Sequence, residues 1–431
     1  MRGSARFMED CHARFGDVFT LDLIAQLAAG PGARRDEGRY VFLADPQLVK
    51  QVFTADPNVV RAGQTNMFLL PVVGRRSILV LDEPDHMVQR KLLLPPFHGE
   101  TVRGYGELMS GVAHAEIDRW PTDTTFSLWP KMQAITLEVV LRVVFGIDES
   151  ELLARMRQLL STMLNRMTST RFLTVAALLS LVNDPRAPRN IDAPHRLLAP
   201  VDREVLAEIS SRRSAPDLAD RDDVLSTLIR ARHEDGSPMN DRELRDELVT
   251  LLIAGHESTA TMLAWIFELL LRHPGKLDRA RQEARAGGDE YAAAVVMEAL
   301  RLRPVLPFVL RRLSEPMQIG GYALPAGTWL APCGYLVHRR QDLYPEPQAF
   351  LPERFLGRRP DPFAWLPFGG GVRRCIGFNF AQLEMTRVLQ AVLTRAELRP
   401  ASPVAEGIGR RFITLAPAHG ARVVLTRRLS P

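Results

Sequence analysis

Phe368-Gly369-Gly370-Gly371-Val372-Arg373-Arg374-Cys375-Ile376-Gly377 closes an irregular stretch, from Pro345 to Gly377, that is dense in proline, glycine and arginine. So long a run without periodicity inside a folded chain is usually functional. Its one cysteine sits among three preceding glycines, one following glycine and two arginines. A thiolate persists near neutrality only where positive charge or amide hydrogens stabilise it, and Arg373 and Arg374 supply charge. The apolar run Ala381–Val392 then predicts a helix whose N-terminal amides point back toward the sulfur. Glycines let a backbone lie close to a flat group. These are the requirements of a sulfur ligand to a haem iron, and they single out Cys375.

Outward from this stretch the chain reads as mainly α with a minor β-sheet portion. Lys131–Phe145 carries apolar residues at helical spacing and stops at Gly146, a C-terminal cap. Val201–Arg212, Asp222–His233 and Arg242–Arg272 show the same period. The last begins with Asn240 followed three residues later by Glu243, a capping-box start, and ends before Pro274. At 1.5 Å per residue it spans roughly 45 Å, a domain diameter. Strand signals are short and lie toward the two ends: Val18–Leu23, Tyr40–Leu43, Met317–Ile319, Thr328–Ala331 and Ala421–Thr426. Composition is even over 431 residues, 46% hydrophobic and 24% charged, with no linker, block or repeat. One domain over residues 1–431 is the expectation.

Several classes are excluded. The excess of 55 basic over 50 acidic residues is mild and scattered, which disfavours nucleic acid. Leu248–Leu271 is long and apolar enough to mimic a membrane span, but it carries His256, Glu257 and Glu268, and charges at membrane depth are expensive. A helix through a protein core fits better, so no membrane span is expected. Three cysteines without a CxxC pair argue against disulfides and structural zinc, and for a reducing, cytoplasmic setting. Cys11 and Cys333 read as small buried hydrophobes.

Other candidate residues stand apart from the cysteine. Glu298-Ala299-Leu300-Arg301 puts an acid and a guanidinium on one helix face. Ala254-Gly255-His256-Glu257-Ser258-Thr259 opens a small-residue groove on the long helix beside an acid and alcohols. His86 and Arg90 lie four apart, and Arg311 and Arg373 could pair with carboxylates through bidentate hydrogen bonds.

The spacing F-x-x-G-x-R-x-C-x-G over Phe368–Gly377 resembles the haem-binding signature of the cytochrome P-450 monooxygenases, of the soluble bacterial type. Five fixed positions give roughly one accidental match in ten thousand chains of this length. The resemblance runs in order from about Asp10 to the end. It implies that Cys375 is the iron ligand of haem b, with Phe368 and Gly377 in its loop. It implies a Glu298–Arg301–Arg354 network, the last from Pro352-Glu353-Arg354-Phe355, that holds the loop. His86, Arg90, Arg311 and Arg373 would bind the haem propionates. Glu257 and Ser258 would deliver protons opposite the sulfur, with Ser258 standing where threonine is usual and Thr259 a further candidate.

The resemblance further implies a substrate pocket including Phe68, Leu69, Ala254, Val305, Phe308, Val309, Phe412 and Ile413. The expected reaction inserts one oxygen atom of O2 into a hydrophobic small molecule: a fatty acid, terpenoid, steroid or polyketide. No membrane anchor is expected ahead of the motif region, and the chain after Cys375 is too short for a fused reductase. Without a flavin or dinucleotide fingerprint, electrons would come from a separate ferredoxin or flavodoxin with its reductase. Arg339, Arg340, Arg358, Arg359 and Arg374 either form its docking face or are solvated charges. A monomer is expected. The alternatives are a peroxide-driven peroxygenase or isomerase on the same fold, or a non-catalytic haem-binding sensor. Glu257-Ser258 favours monooxygenation, since peroxygenases of the family carry Arg-Pro there.

Overall fold

The computed structural model describes residues 4–22, 39–147, 151–167, 192–411 and 413–429. Five helices position the site: α1 (Asp85–Leu93), α2 (Leu128–Phe145), α3 (Asp241–Leu270), α4 (Glu290–Leu302) and α5 (Phe378–Arg395). The architecture is mainly α with a minor β portion.

Helix α3 starts as its sequence dictates. Asn240 Oδ1 accepts from the amides of Arg242 (3.0 Å) and Glu243 (3.1 Å), while Glu243 Oε2 accepts from the Asn240 amide at 2.9 Å. This reciprocal box satisfies donors that a helix start leaves orphaned. From Thr259 to Leu270 every residue of α3 is buried, the signature of a helix running through a core rather than along its surface. Among the described residues no helix is long and apolar enough to cross a membrane. Helix α2 packs against α3 and ends at Gly146, whose φ of 60° lies in the left-handed region that a non-glycine residue resists.

The stretch Asp222–His233, expected as one helix, is shorter: Val224–Arg230. The Asp223 carboxylate caps its start by accepting from the Ser226 amide at 2.8 Å. A turn in which His233 N donates to Ser237 O (2.9 Å) and Gly236 N to His233 O (2.9 Å) carries the chain away. The Asp235-Gly236 pair overrides the helical period there.

The main sheet has five strands in the spatial order Val18–Asp22, Arg39–Leu43, Trp329–Pro332, Arg311–Leu313, Val60–Arg61. Only the contact between Arg39–Leu43 and Trp329–Pro332 is parallel. The sheet therefore ties the early chain to the segment after α4 and holds Arg311 in a buried strand. Arg422–Arg428 forms a second sheet between Thr125–Ser127 and Ala396–Pro400.

Candidate active site

The cysteine loop is a tight hairpin. The Cys375 amide donates to Phe368 O at 3.0 Å, and Gly371–Arg373 forms a single 3-10 turn between them. Gly369 and Gly371 have φ of 67° and 66°. A Cβ on Gly370 would stand 2.3 Å from the Phe53 ring, and one on Gly371 2.2 Å from the Phe53 carbonyl oxygen. These two glycines thus serve a close approach to the helix Pro46–Thr54. Gly377 differs, because a Cβ there would meet nothing within 4 Å.

Helix α5 begins at Phe378 with Gly377 as its N-cap, and the Gly377 amide favours the ionised form of the Cys375 sulfur. Arg90 and Arg374 add positive charge, yet burial outweighs all three and raises the Cys375 thiol pKa. The expected stabilisation of the sulfur by positive charge and helix amides is supplied by Arg374 and the Gly377 amide, with Arg90 in place of Arg373, while burial opposes it. Were Cys375 to coordinate a metal ion, the ion would favour its deprotonated form and oppose the effect of burial. Arg373, one of the expected cations, is spent elsewhere: it donates to Ile78 O (3.3 Å), Leu81 O (2.6 Å) and Asp82 Oδ1 (3.2 Å). Arg374 instead lies over the Phe378 ring, 3.9 Å from its centre.

Three arginines crowd beside this loop, with Asp82 and Glu83 the acids nearest them. Arg311 is buried, donates among the described residues only to Leu310 O at 2.8 Å, and has its pKa depressed to about 10 by desolvation and by Arg373. Arg373 is lowered by desolvation and by Arg90. The Arg90 side chain has no hydrogen bond or ion pair among the described residues, and its pKa is lowered by burial. His86 is buried, with Nδ1 2.7 Å from Glu83 Oε1; desolvation and Arg373 push its pKa down to about 4. Arg373 pairs with Asp82, whereas Arg90 and Arg311 have no carboxylate partner among the described residues, and buried cations left unpaired are costly. Two carboxylates placed here would supply the missing charge, so the donor set fits haem propionates.

Cys375 and Ala254 strengthen the fit. The Cys375 side chain is exposed although protein surrounds it, which is the condition of a group facing an interior gap rather than bulk water. Ala254 is exposed midway along α3, and the only atom near a Cβ on its neighbour Gly255 would be Val140 Cγ2 at 3.5 Å. The small pair leaves open space where the rest of the helix is packed.

The polar residues of α3 divide by face. His256 is buried against α2, with Nδ1 2.9 Å from Thr136 Oγ1, and burial holds it neutral with a pKa of about 4. Glu257 Oε2 accepts from Gln133 Nε2 at 2.9 Å, while Oε1 is buried without a partner. Burial raises the Glu257 pKa to about 7, with Gln133 and Arg411 opposing. Ser258 Oγ donates to Ala254 O at 2.7 Å, which leaves its lone pairs free to accept. Thr259 is buried. Gln133 carried no signal in the sequence, because its role exists only where α2 crosses α3.

Behind the cysteine loop, Glu298 and Arg301 are fully buried and pair through two bonds, Nε to Oε2 at 2.7 Å and Nη2 to Oε1 at 2.8 Å. Arg301 also donates to the carbonyls of His338 (2.7 Å), Pro347 (2.9 Å) and Ala349 (3.2 Å). Glu298 Oε1 accepts from the Leu351 amide at 2.9 Å and lies 3.5 Å from Arg354 Nε. Arg354 Nη2 donates to the carbonyls of Pro345 and Glu346. Residues 298, 301 and 354 are thus brought together, and they staple the irregular stretch before the cysteine.

The pocket candidates are more dispersed. Phe68 is open, Leu69 half-buried and Ile413 exposed. Val305 is buried, and Phe308 packs edge-on to Phe42 with ring centres 5.1 Å apart. Val309 is packed beside the sheet cluster. Leu306, between them, carries more open apolar surface. Phe412 lies outside the described residues. Of the docking arginines, Arg339 is consumed by Glu9 (3.0 Å) and the Tyr335 ring, and Arg340 by Asp17 (2.7 Å) and Asp342 (2.9 Å). Arg358 and Arg359 are exposed.

Comparison with known proteins shows the family. The family model for cytochrome P450 matches residues 3–407. Cytochrome P450 135B1 of Mycobacterium tuberculosis is 41% identical over 430 residues, covering 98% of this chain and 87% of that protein. Cytochrome P450 137 of the same species is 38% identical, covering 98% and 86%. Among solved structures, retinoic acid-bound cyanobacterial CYP120A1 superposes with a TM-score of 0.79 at 24% identity, covering 98% of this chain and 94% of that one. The haem domain of cytochrome P450DA gives 0.80 at 22%, covering 100% and 93%. The chain belongs to the cytochrome P450 family, the haem-thiolate monooxygenases that bind haem b.

Proposed function

We propose that the chain hydroxylates a hydrophobic small molecule of the fatty acid, terpenoid, steroid or polyketide class. The observation that carries this reading is the apolar surface left open on the expected pocket segments: Met67 at 41%, Phe68 at 52%, Leu306 at 39% and Ile413 at 39% exposure. Open apolar side chains of this size suit a ligand that leaves water for an apolar pocket.

Haem, when bound, supplies dioxygen activation at an iron whose thiolate ligand donates electron density. In this reading Cys375 is that ligand, Gly377 N–H stabilises its sulfur, and Arg90, Arg311, Arg373 and His86 hold the propionates. Glu257, with its pKa near 7, can give or take a proton at physiological pH. Ser258 presents an acceptor oxygen on the groove side, its hydrogen committed to Ala254 O. Thr259 is a further hydroxyl on the same helix.

Electrons come from a separate ferredoxin or flavodoxin, for which the exposed Arg358 and Arg359, with Arg374, provide positive charge. A single domain over 1–431 is supported by shared packing, since Ile408 and Leu343 each pack against two of the apolar clusters. Free, buried Cys11 and Cys333 suit a reducing cytoplasm.

The test is a substrate panel of those four classes added to the haem-loaded protein, followed by turnover with a surrogate ferredoxin and reductase under isotopically labelled dioxygen. A spin-state change and one labelled oxygen in the product are expected. No spectral response to any class, or product with peroxide but none with reduced partner, would overturn the proposal.

A further inference from the structure

His338 lies outside every motif considered above, at the end of the one-turn helix Gly334–Val337, and is completely buried. Its ring Nε2 is 2.8 Å from the Leu366 amide, which can only donate. Its Nδ1 is 3.1 Å from Arg301 O, which can only accept. Two one-way partners assign the tautomer: Nδ1 carries the hydrogen and Nε2 the lone pair. Burial, with Arg301 and Arg339 nearby, opposes a second proton on the ring.

The main chain of His338 closes the arrangement. Its carbonyl accepts from Arg301 Nη1 at 2.7 Å. Arg301 therefore grips residue 338 by its guanidinium, and the ring grips residue 301 by its carbonyl. Beyond Leu366 the bonds continue into the ligand loop. Leu366 O accepts from the Gly369 amide at 3.1 Å, and Phe368 O accepts from the Cys375 amide at 3.0 Å. Little slack remains around the ring or its target. A Cβ on Gly334 would stand 3.2 Å from Leu366 Cβ, and the Tyr344 ring meets His338 edge-on with centres 6.4 Å apart.

We infer that His338 is a positioning residue that carries the rigidity of the Glu298–Arg301 pair to Cys375, by holding the Leu366 amide at the start of the ligand loop. The inference rests on Cys375 being the haem ligand. Removing the ring acceptor leaves a buried amide unsatisfied and frees the loop to shift, so that sulfur ligation weakens.

The experiment compares haem-loaded wild type, His338→Phe, His338→Gln and Cys375→Ser. Phenylalanine keeps the planar volume without either bond, whereas glutamine offers one donor and one acceptor. The readouts are the reduced carbon-monoxide spectrum, the ferric/ferrous potential and the melting temperature. In folded His338→Phe the ratio of thiol-type to thiolate-type Soret band rises by about fivefold or more, the scale of one lost buried hydrogen bond, and His338→Gln restores most of the wild-type spectrum. A folded His338→Phe with the wild-type spectrum and potential overturns the inference, as does a glutamine variant as impaired as phenylalanine. Should His338→Phe not fold, the wild-type ring decides. In the diamagnetic reduced carbon-monoxide form labelled with nitrogen-15 histidine, and assigned by loss in His338→Gln, Nδ1 is protonated and Nε2 bare. The opposite tautomer overturns the inference. A thiolate band surviving in Cys375→Ser removes the ligand assignment itself, while its loss there beside an unchanged His338→Phe removes only the role of His338.

Discussion

Glu298 and Arg301, three residues apart on α4, form a two-bonded ion pair with no exposed surface on either side chain. Every remaining donor of Arg301 that the pair leaves free reaches a main-chain carbonyl of residues 338–349. Breaking one side of such a pair strands the other charge in the core, at a cost of about 3–5 kcal/mol. That is a large share of the roughly 5–15 kcal/mol that holds a typical protein folded. Glu298→Ala and Arg301→Ala are therefore expected to yield little haem-loaded protein, measured by denaturant unfolding and haem content. Arg301→Lys should fail as well, because an ammonium cannot reproduce the planar fork.

Cys375→Ser should abolish the thiolate-type Soret band of the reduced carbon-monoxide complex. An unchanged spectrum would sink the ligand assignment.

Glu257 couples pH to stability. Its folded-state pKa of about 7 exceeds the ordinary 4.5, so between those values the native state holds a proton that the unfolded state releases. The stabilisation from this group is fully present below about 4.5 and is lost as pH rises through about 7. Unfolding midpoints of wild type and Glu257→Gln, compared at acidic and alkaline pH, should show wild type losing ground on the alkaline side. If Glu257 also moves protons, product formation in Glu257→Gln should fall by roughly 10²-fold.

Ser258 places a hydroxyl on the groove but lacks the methyl group that restricts a threonine rotamer. Ser258→Thr should raise the fraction of electrons recovered in product, and Ser258→Ala should lower it with more hydrogen peroxide released. Reducing equivalents consumed per product formed measure both. Equal coupling in all three proteins would remove Ser258 from the proton path.

Gly371 and Gly377 predict opposite behaviour. At Gly371 a methyl group meets the Phe53 carbonyl at 2.2 Å on a backbone with φ of 66°, so Gly371→Ala should destabilise the haem-free protein by at least ~1–3 kcal/mol. At Gly377 the space is open. Gly377→Ala should unfold within about 0.5 kcal/mol of wild type yet take up haem less tightly. Denaturant midpoints and haem titration separate the two.

Some of this was legible in the residues alone. The Asn240–Glu243 box, the Gly146 stop and the apolar period of α2 and α3 are local, because each depends on contacts within a turn or two of helix. The spacing from Phe368 to Gly377 marked Cys375, since a ligand loop needs its cysteine and glycines in fixed register. Tertiary structure decided the rest, because those features depend on chain segments far apart in sequence. Only the crossing of α2 and α3 gives Glu257 its Gln133 partner, and only the packing of residues 334–338 against residue 366 turns His338 into a link. The arginines show the same division. Their number was visible, but only the folded chain leaves Arg90 without a side-chain partner among the described residues and commits Arg373, Arg339 and Arg340 to other bonds. The sequence by itself singled out the sulfur proposed to ligate the iron; the fold decided which neighbours hold that atom, through burial and hydrogen bonds that no local pattern encodes.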